Sequence, residues 1–137
     1  MGDMERGAVL VVEDEPSIRE LLLDALAQDG IAAVGVADGE EAIRVALAKR
    51  PGLVLLDMGL PLIDGTDVAA RIREAYGDAV PFVVVTAGRR IDEAASGVRA
   101  VSYIAKPFDV DDVVRAVRSA IEPPAGALPN GAAPSVA

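Results

Sequence analysis

Short unbroken apolar runs alternate five times along the chain with longer stretches whose apolar residues recur every three or four positions. The first run, Ala8-Val9-Leu10-Val11-Val12, ends in Glu13-Asp14-Glu15 and reads as a strand. Pro16-Ser17 then opens a helix: Ser17 and Glu20 have capping-box spacing, and Ile18, Leu21, Leu22, Ala25 and Leu26 share a face until Gly30. Residues 31–36 predict a second strand. Asp38 and Glu41 repeat the capping spacing ahead of Ala42, Ile43, Ala46 and Leu47, a helix closed by Pro51-Gly52. Leu53-Val54-Leu55-Leu56 is a third strand, ending on Asp57. Val68, Ala69, Ile72, Ala75 and Tyr76 predict the next helix, stopped by Gly77, and 81–86 a fourth strand. Ile91, Ala94, Ala95 and Val98 keep a helical period that Ser96 and Gly97 interrupt, so a helix here is short. Residues 100–105 make a fifth strand. Asp109 and Asp112 begin the last helix, with Val110, Val113, Val114, Val117 and Ile121 on its apolar face.

Five strand-helix alternations in one chain demand right-handed crossovers and a parallel sheet covered on both faces. The expected fold is α/β, a doubly wound five-stranded sheet of order 2-1-3-4-5 with its crevice beside strands 1 and 3. One domain spans 8–121, after a polar lead-in at 1–7 and before a Pro, Gly and Ala-rich tail or linker at 122–137.

Composition narrows the chemistry. Apolar residues are 52% of the chain, which excludes disorder, and no apolar run approaches the roughly 20 residues of a spanning helix. The start has no apolar signal-peptide core, and Arg6 stands where myristoylation wants Ser or Thr, so the expected location is cytoplasmic. A net charge of -9 disfavours nucleic acid and anionic membranes as partners. Without cysteine or histidine, disulfides, zinc sites, thiol nucleophiles and imidazole chemistry are excluded. Any metal must be a hard, oxygen-bound ion, magnesium or else manganese.

Four strands end in residues with chemistry: Glu13 and Asp14, then Asp57, Thr86 and Lys106. In a parallel sheet these ends point the same way, so three carboxylates, a hydroxyl and an ammonium converge. Crowded carboxylates repel, and a divalent cation together with Lys106 relieves the repulsion. Metal and lysine would also hold the equatorial oxygens of a phosphoryl group in flight while Asp57 attacks in line, giving an aspartyl phosphate. Thr86 can then donate its hydroxyl to a phosphate oxygen and turn a local charge change into a movement.

Four segments carry a resemblance: Val11-Val12-Glu13-Asp14-Glu15-Pro16; Leu55-Leu56-Asp57 with Pro61 and Asp64-Gly65; Val84-Val85-Thr86-Ala87; and Tyr103-Ile104-Ala105-Lys106-Pro107-Phe108. In this order and spacing, over roughly 8–121, the chain resembles the receiver domains of the two-component response regulator family, whose fold is flavodoxin-like. The resemblance implies a signalling switch rather than an enzyme that turns over an external substrate. Asp57 would be the phosphorylated residue, Asp14 and the Gly59 carbonyl direct magnesium ligands, and Glu13 a ligand through water. Lys106 would pair with the phosphoryl group across a cis Lys106-Pro107 peptide, and Tyr103 would be the switch aromatic that follows Thr86. The donor would be a sensor histidine kinase or histidine phosphotransfer protein. The readout surface, and a phosphorylation-dependent homodimer, would use segment 91–98, the fifth strand and the last helix.

The chain departs from the family pattern in places. Glu13 replaces the commoner Asp, Ile63 stands where Met is frequent, and the stretch from Thr86 to Lys106 is shorter than usual. Small residues at Gly59 and Gly88 predict an accessible phosphate that hydrolyses readily. Each residue also has a plainer reading. Glu13, Asp14 and Glu15 suit any helix N-terminus, and Tyr103 suits a half-buried sheet position. A magnesium-dependent phosphohydrolase would want a second Asp two residues after Asp57, where Gly59 stands, and a scaffold that is never phosphorylated would need none of these groups.

Overall fold

A computed structural model of the chain describes residues 7–60, 63–92 and 97–121. Within them β1 (Val9–Val12), β2 (Ala33–Val36), β3 (Leu53–Asp57), β4 (Phe82–Ala87) and β5 (Ser102–Lys106) form one sheet, in order β2-β1-β3-β4-β5. Every neighbouring pair is parallel. The four long helices are α1 (Pro16–Gln28), α2 (Gly39–Ala48), α3 (Gly65–Tyr76) and α4 (Val110–Ile121). The expected order and fold class are the ones found.

The sheet is apolar on both faces because alternate residues of each strand feed different cores. Leu10, Val12, Val54, Leu56, Phe82 and Val84 pack under α2 and α3 with Ala42, Ile43, Ala46, Val68, Ala69 and Ile72. Val9, Val11, Leu53, Leu55, Val83 and Val85 pack under α1 and α4 with Leu22, Leu26, Val113 and Val117. The four apolar residues before Asp57 therefore divide two and two between the cores. This double anchorage leaves the strand end no freedom to slide.

Several local expectations are corrected. Ser17 is not the cap of α1: Glu15 takes the N-cap position because Pro16 fixes the first helical residue, and the Ser17 hydroxyl donates to Glu15 Oε2 at 3.1 Å. Leu21 is 48% exposed, while Leu23 packs on the core in its place. The second strand starts at Ala33, not residue 31. Gly30 at φ +76° donates to Ala27 O, and Ile31 donates to Leu26 O, a Schellman motif that spends Ile31 on ending α1. The Asp38 cap holds, with its side chain accepting from Glu41 N at 2.8 Å. The fifth strand begins at Ser102 and includes Lys106.

A 3-10 turn, Gly88–Arg90, follows β4, and residues 91, 92 and 97 are helical. The remainder of the predicted short helix, including Ala94, Ala95 and Ser96, lies outside the described residues, as do Pro61, the lead-in at 1–6 and the tail at 122–137. No helix among the described residues is long and apolar enough to cross a membrane.

Candidate functional site

The register of the sheet brings the candidate residues together. Val12 lies beside Leu56, Asp57 beside Val85, Thr86 beside Ala105 and Ala87 beside Lys106, so the strand ends form one rim. Asp57 is at its centre. Its side chain is almost fully buried, and Lys106 Nζ donates to both carboxylate oxygens at 3.0 Å. The Gly59 N–H donates to Asp57 Oδ1 at 2.9 Å. A buried carboxylate is costly without such partners, and here an ammonium and a backbone amide supply them.

Glu13 is 2% exposed, whereas Asp14 beside it is exposed. One ligand-capable oxygen from each of Glu13, Asp14 and Asp57 lies within 4.8 Å of the other two. Crowding shows in the titration of Glu13, whose carboxyl is pushed up to about 7, first by burial and then by the charge of Asp57. The Glu15 N–H, donating to Glu13 Oε2 at 3.1 Å, and the charge of Lys106 act in the opposite direction and fall short. A donor set of carboxylate oxygens whose members resist simultaneous ionisation fits a hard divalent cation such as magnesium.

Thr86 is 3% exposed, next to Gly88 across a single residue. The Lys106-Pro107 peptide is cis, as the resemblance implied. Tyr103 is half-buried against the α2–α3 core, and its hydroxyl accepts from Ala100 N at 2.9 Å and donates to Val98 O. Its tip therefore ties down the chain that enters β5. Beside Asp57 an open cleft of about 270 Å³ is lined by Met58, Gly59, Leu60, Ile63, Asp64 and Arg90. Among the described residues, a side-chain carbon added at Gly59 would meet only Asp57 Oδ1, at 3.5 Å, and one at Gly88 only Ala105 Cβ, at 3.6 Å. Among these residues, neither glycine crowds the approach to the carboxylate.

Sequence reasoning brought these residues together but passed over Arg19. Its Nη1 donates to the main-chain carbonyl of Glu13 at 2.8 Å. On a helical period Arg19 reads as a solvent-facing residue. The overlooked signal was Gly35, a glycine inside a strand, which marks a close approach.

Comparison with known proteins agrees with this fold. Residues 9–118 match the response regulator receiver domain family. The transcriptional regulatory protein PdtaR of Mycobacterium tuberculosis is 39% identical over 116 residues, covering 82% of this chain and 56% of that protein. The DNA-binding transcriptional regulator NtrC of Escherichia coli K12 is 35% identical over 120 residues, 86% of this chain and 25% of its own. The chain thus spans about half or less of the length of these relatives. Among solved structures, the response regulator TrrA of Thermotoga maritima, in complex with Mg(2+)-BeF, superposes with a TM-score of 0.74 at 31% identity, covering 83% of this chain and 98% of that one. The receiver domain of NtrX from Brucella abortus gives 0.75 at 29%, covering 82% and 97%. With the family matched from the first strand into the last helix, and the strand-end residues in one rim, this chain belongs to the response regulator receiver domain family.

Proposed function

We propose that the chain is the phosphoacceptor switch of a two-component phosphorelay, modified on Asp57. The observation that carries the reading is the Asp57 carboxylate itself, buried at a strand end, held on both oxygens by Lys106 at 3.0 Å and flanked by the oxygens of Glu13 and Asp14. In the reaction an Asp57 oxygen forms a bond to phosphorus as the donor's bond to phosphorus breaks, and the leaving group keeps the electron pair. Lys106 neutralises charge on the phosphoryl oxygens, and the Gly59 N–H fixes the rotation of the carboxylate before attack. Asp14 and Asp57, the Gly59 carbonyl and, through water, Glu13 would hold magnesium. When bound, the ion would offset the crowded carboxylates and the charge gathering on the phosphoryl group.

These 137 residues include no histidine, so the phosphoryl donor is a histidine outside them, as in a sensor histidine kinase or histidine phosphotransfer protein. Thr86 would follow the new phosphate, and Tyr103 would surrender its hold on Val98 and Ala100 as it turns inward. The Mg(2+)-BeF complex of TrrA, a relative of the same fold, supports the phosphoacceptor reading. The names of PdtaR and NtrC support a regulatory output beyond the chain.

The test is intact mass after incubation with acetyl phosphate or phosphoramidate, with and without magnesium, for wild type and Asp57→Asn. One phosphoryl group gained by wild type only with magnesium, and never by the variant, is expected. No gain, combined with no binding of beryllofluoride, would leave a scaffold as the better account.

A further inference from the structure

The peptide unit joining Glu13 to Asp14 links two members of the acidic cluster. Its carbonyl accepts from Arg19 Nη1 at 2.8 Å. The other restraints on Glu13 are local or belong to the sheet: its N–H donates to Val36 O at 3.1 Å, and its carboxylate accepts from Glu15 N at 3.1 Å. Arg19 is the side chain that grips this peptide from the body of α1. A peptide unit is planar, so fixing its carbonyl sets the direction from which both Glu13 and Asp14 project.

Arg19 reaches the peptide by a specific route. It is half-buried, and its stem crosses the face of β2 at Gly35, which pairs with Val11 two residues before Glu13. A side-chain carbon at Gly35 would come within 3.1 Å of both Cγ and Cδ of Arg19 and 2.9 Å of Leu23 Cδ1. The missing side chain at Gly35 is thus the groove in which the arginine lies. Apolar contact along the stem and one directed hydrogen bond at the tip suit a long side chain that must end in a defined place.

We infer that Arg19, seated in the groove at Gly35, is a positioning residue that holds the Glu13–Asp14 peptide so that both carboxylates face one divalent cation. The inference rests on the phosphoacceptor reading above. Groups that orient metal ligands without touching the metal typically change affinity by about 10–100-fold when removed.

The experiment is a Mg2+ titration of the full chain, followed by the backbone amide shifts of Asp14 and Gly59, on wild type, Arg19→Met, Arg19→Lys and Gly35→Ala. Arg19→Met should weaken Mg2+ binding by about tenfold or more. Arg19→Lys, which keeps a donor on a long stem, should recover most of the loss. Gly35→Ala keeps the charge but fills the groove, and should weaken binding as the Met variant does. Should Arg19→Met fail to fold, the other two variants still decide. Affinity unchanged in Arg19→Met, or in Gly35→Ala, would overturn the inference, the second because the groove at Gly35 would then not be what seats the arginine. No Mg2+-dependent shift in wild type would instead sink the phosphoacceptor reading itself.

Discussion

Replacing Glu13 by glutamine removes a charge that the fold holds at a cost while changing the side-chain shape very little. The carboxyl lies at about 7 in the folded chain against an ordinary 4.5, so between these values the folded state binds more protons than the unfolded one. Stability therefore falls as pH rises through this window, and the penalty is complete above the folded value. At roughly 1.4 kcal/mol for each pH unit of separation, the ionised group costs about 3 kcal/mol at pH 8 and about 1 kcal/mol at pH 5.5. Glutamine avoids that cost and can still accept the Glu15 N–H through its amide oxygen. In a buffer with chelator, Glu13→Gln should thus be more stable than wild type at pH 8 by about 1–3 kcal/mol, an advantage that shrinks by about 2 kcal/mol at pH 5.5. With no tryptophan in the chain, urea unfolding followed by far-ultraviolet circular dichroism is the suitable assay, and the midpoint should move by about 1 M. Magnesium should reverse the order of the two proteins, because the metal stabilises whichever folded state binds it more tightly. An equal stability difference at both pH values, or a loss of stability in Glu13→Gln at pH 8 under chelation, would refute the reasoning.

Lys106→Ala takes the ammonium from both Asp57 oxygens and should slow phosphorylation by a small donor about 100-fold, measured as phosphoprotein mass against time; a rate near that of wild type would remove Lys106 from the chemistry. Gly88→Leu should lengthen the life of the aspartyl phosphate by narrowing the approach of water past Ala105, and a shorter life in acid-quenched time courses would contradict the reading that Gly88 leaves the approach uncrowded. Asp38→Ala deletes the cap on Glu41 N and should cost about 1 kcal/mol in urea unfolding, with phosphorylation unchanged. Ile72→Val trims one methyl from the α2–α3 core and should cost about 1 kcal/mol, and no loss at all would mean that α3 packs more loosely than its complete burial indicates.

The sheet and its order were readable because the information is repetitive: Leu53 to Leu56 has the same apolar signature as Val9 to Val12, and each run stops at an acid. Asp57 was legible for the same reason, since its position at the end of a doubly buried strand follows from the strand. Details that depend on a choice between neighbours were less so. Three successive leucines, Leu21 to Leu23, leave the helical period ambiguous, and only the packed sheet turns Leu21 outward. Ile31 has strand propensity, yet its amide is taken by Leu26 O. Arg19 was invisible as a functional residue because its role exists only across the sheet, where Gly35 leaves it room. The raised carboxyl of Glu13 likewise needs Asp57, which the sequence places 44 positions away.

The direction of α4 has a practical consequence for anyone handling this domain. The helix starts four residues after Lys106, beside the phosphoacceptor rim, and runs back to the opposite end of the sheet, where Arg118 clasps Asp29 at the close of α1. Twelve helical residues span about 18 Å. A fluorescent tag or surface anchor attached at Ile121 itself would therefore sit on the far side from Asp57 and leave the donor's path clear. The same label placed on the loops after β3 or β4 would stand in that path.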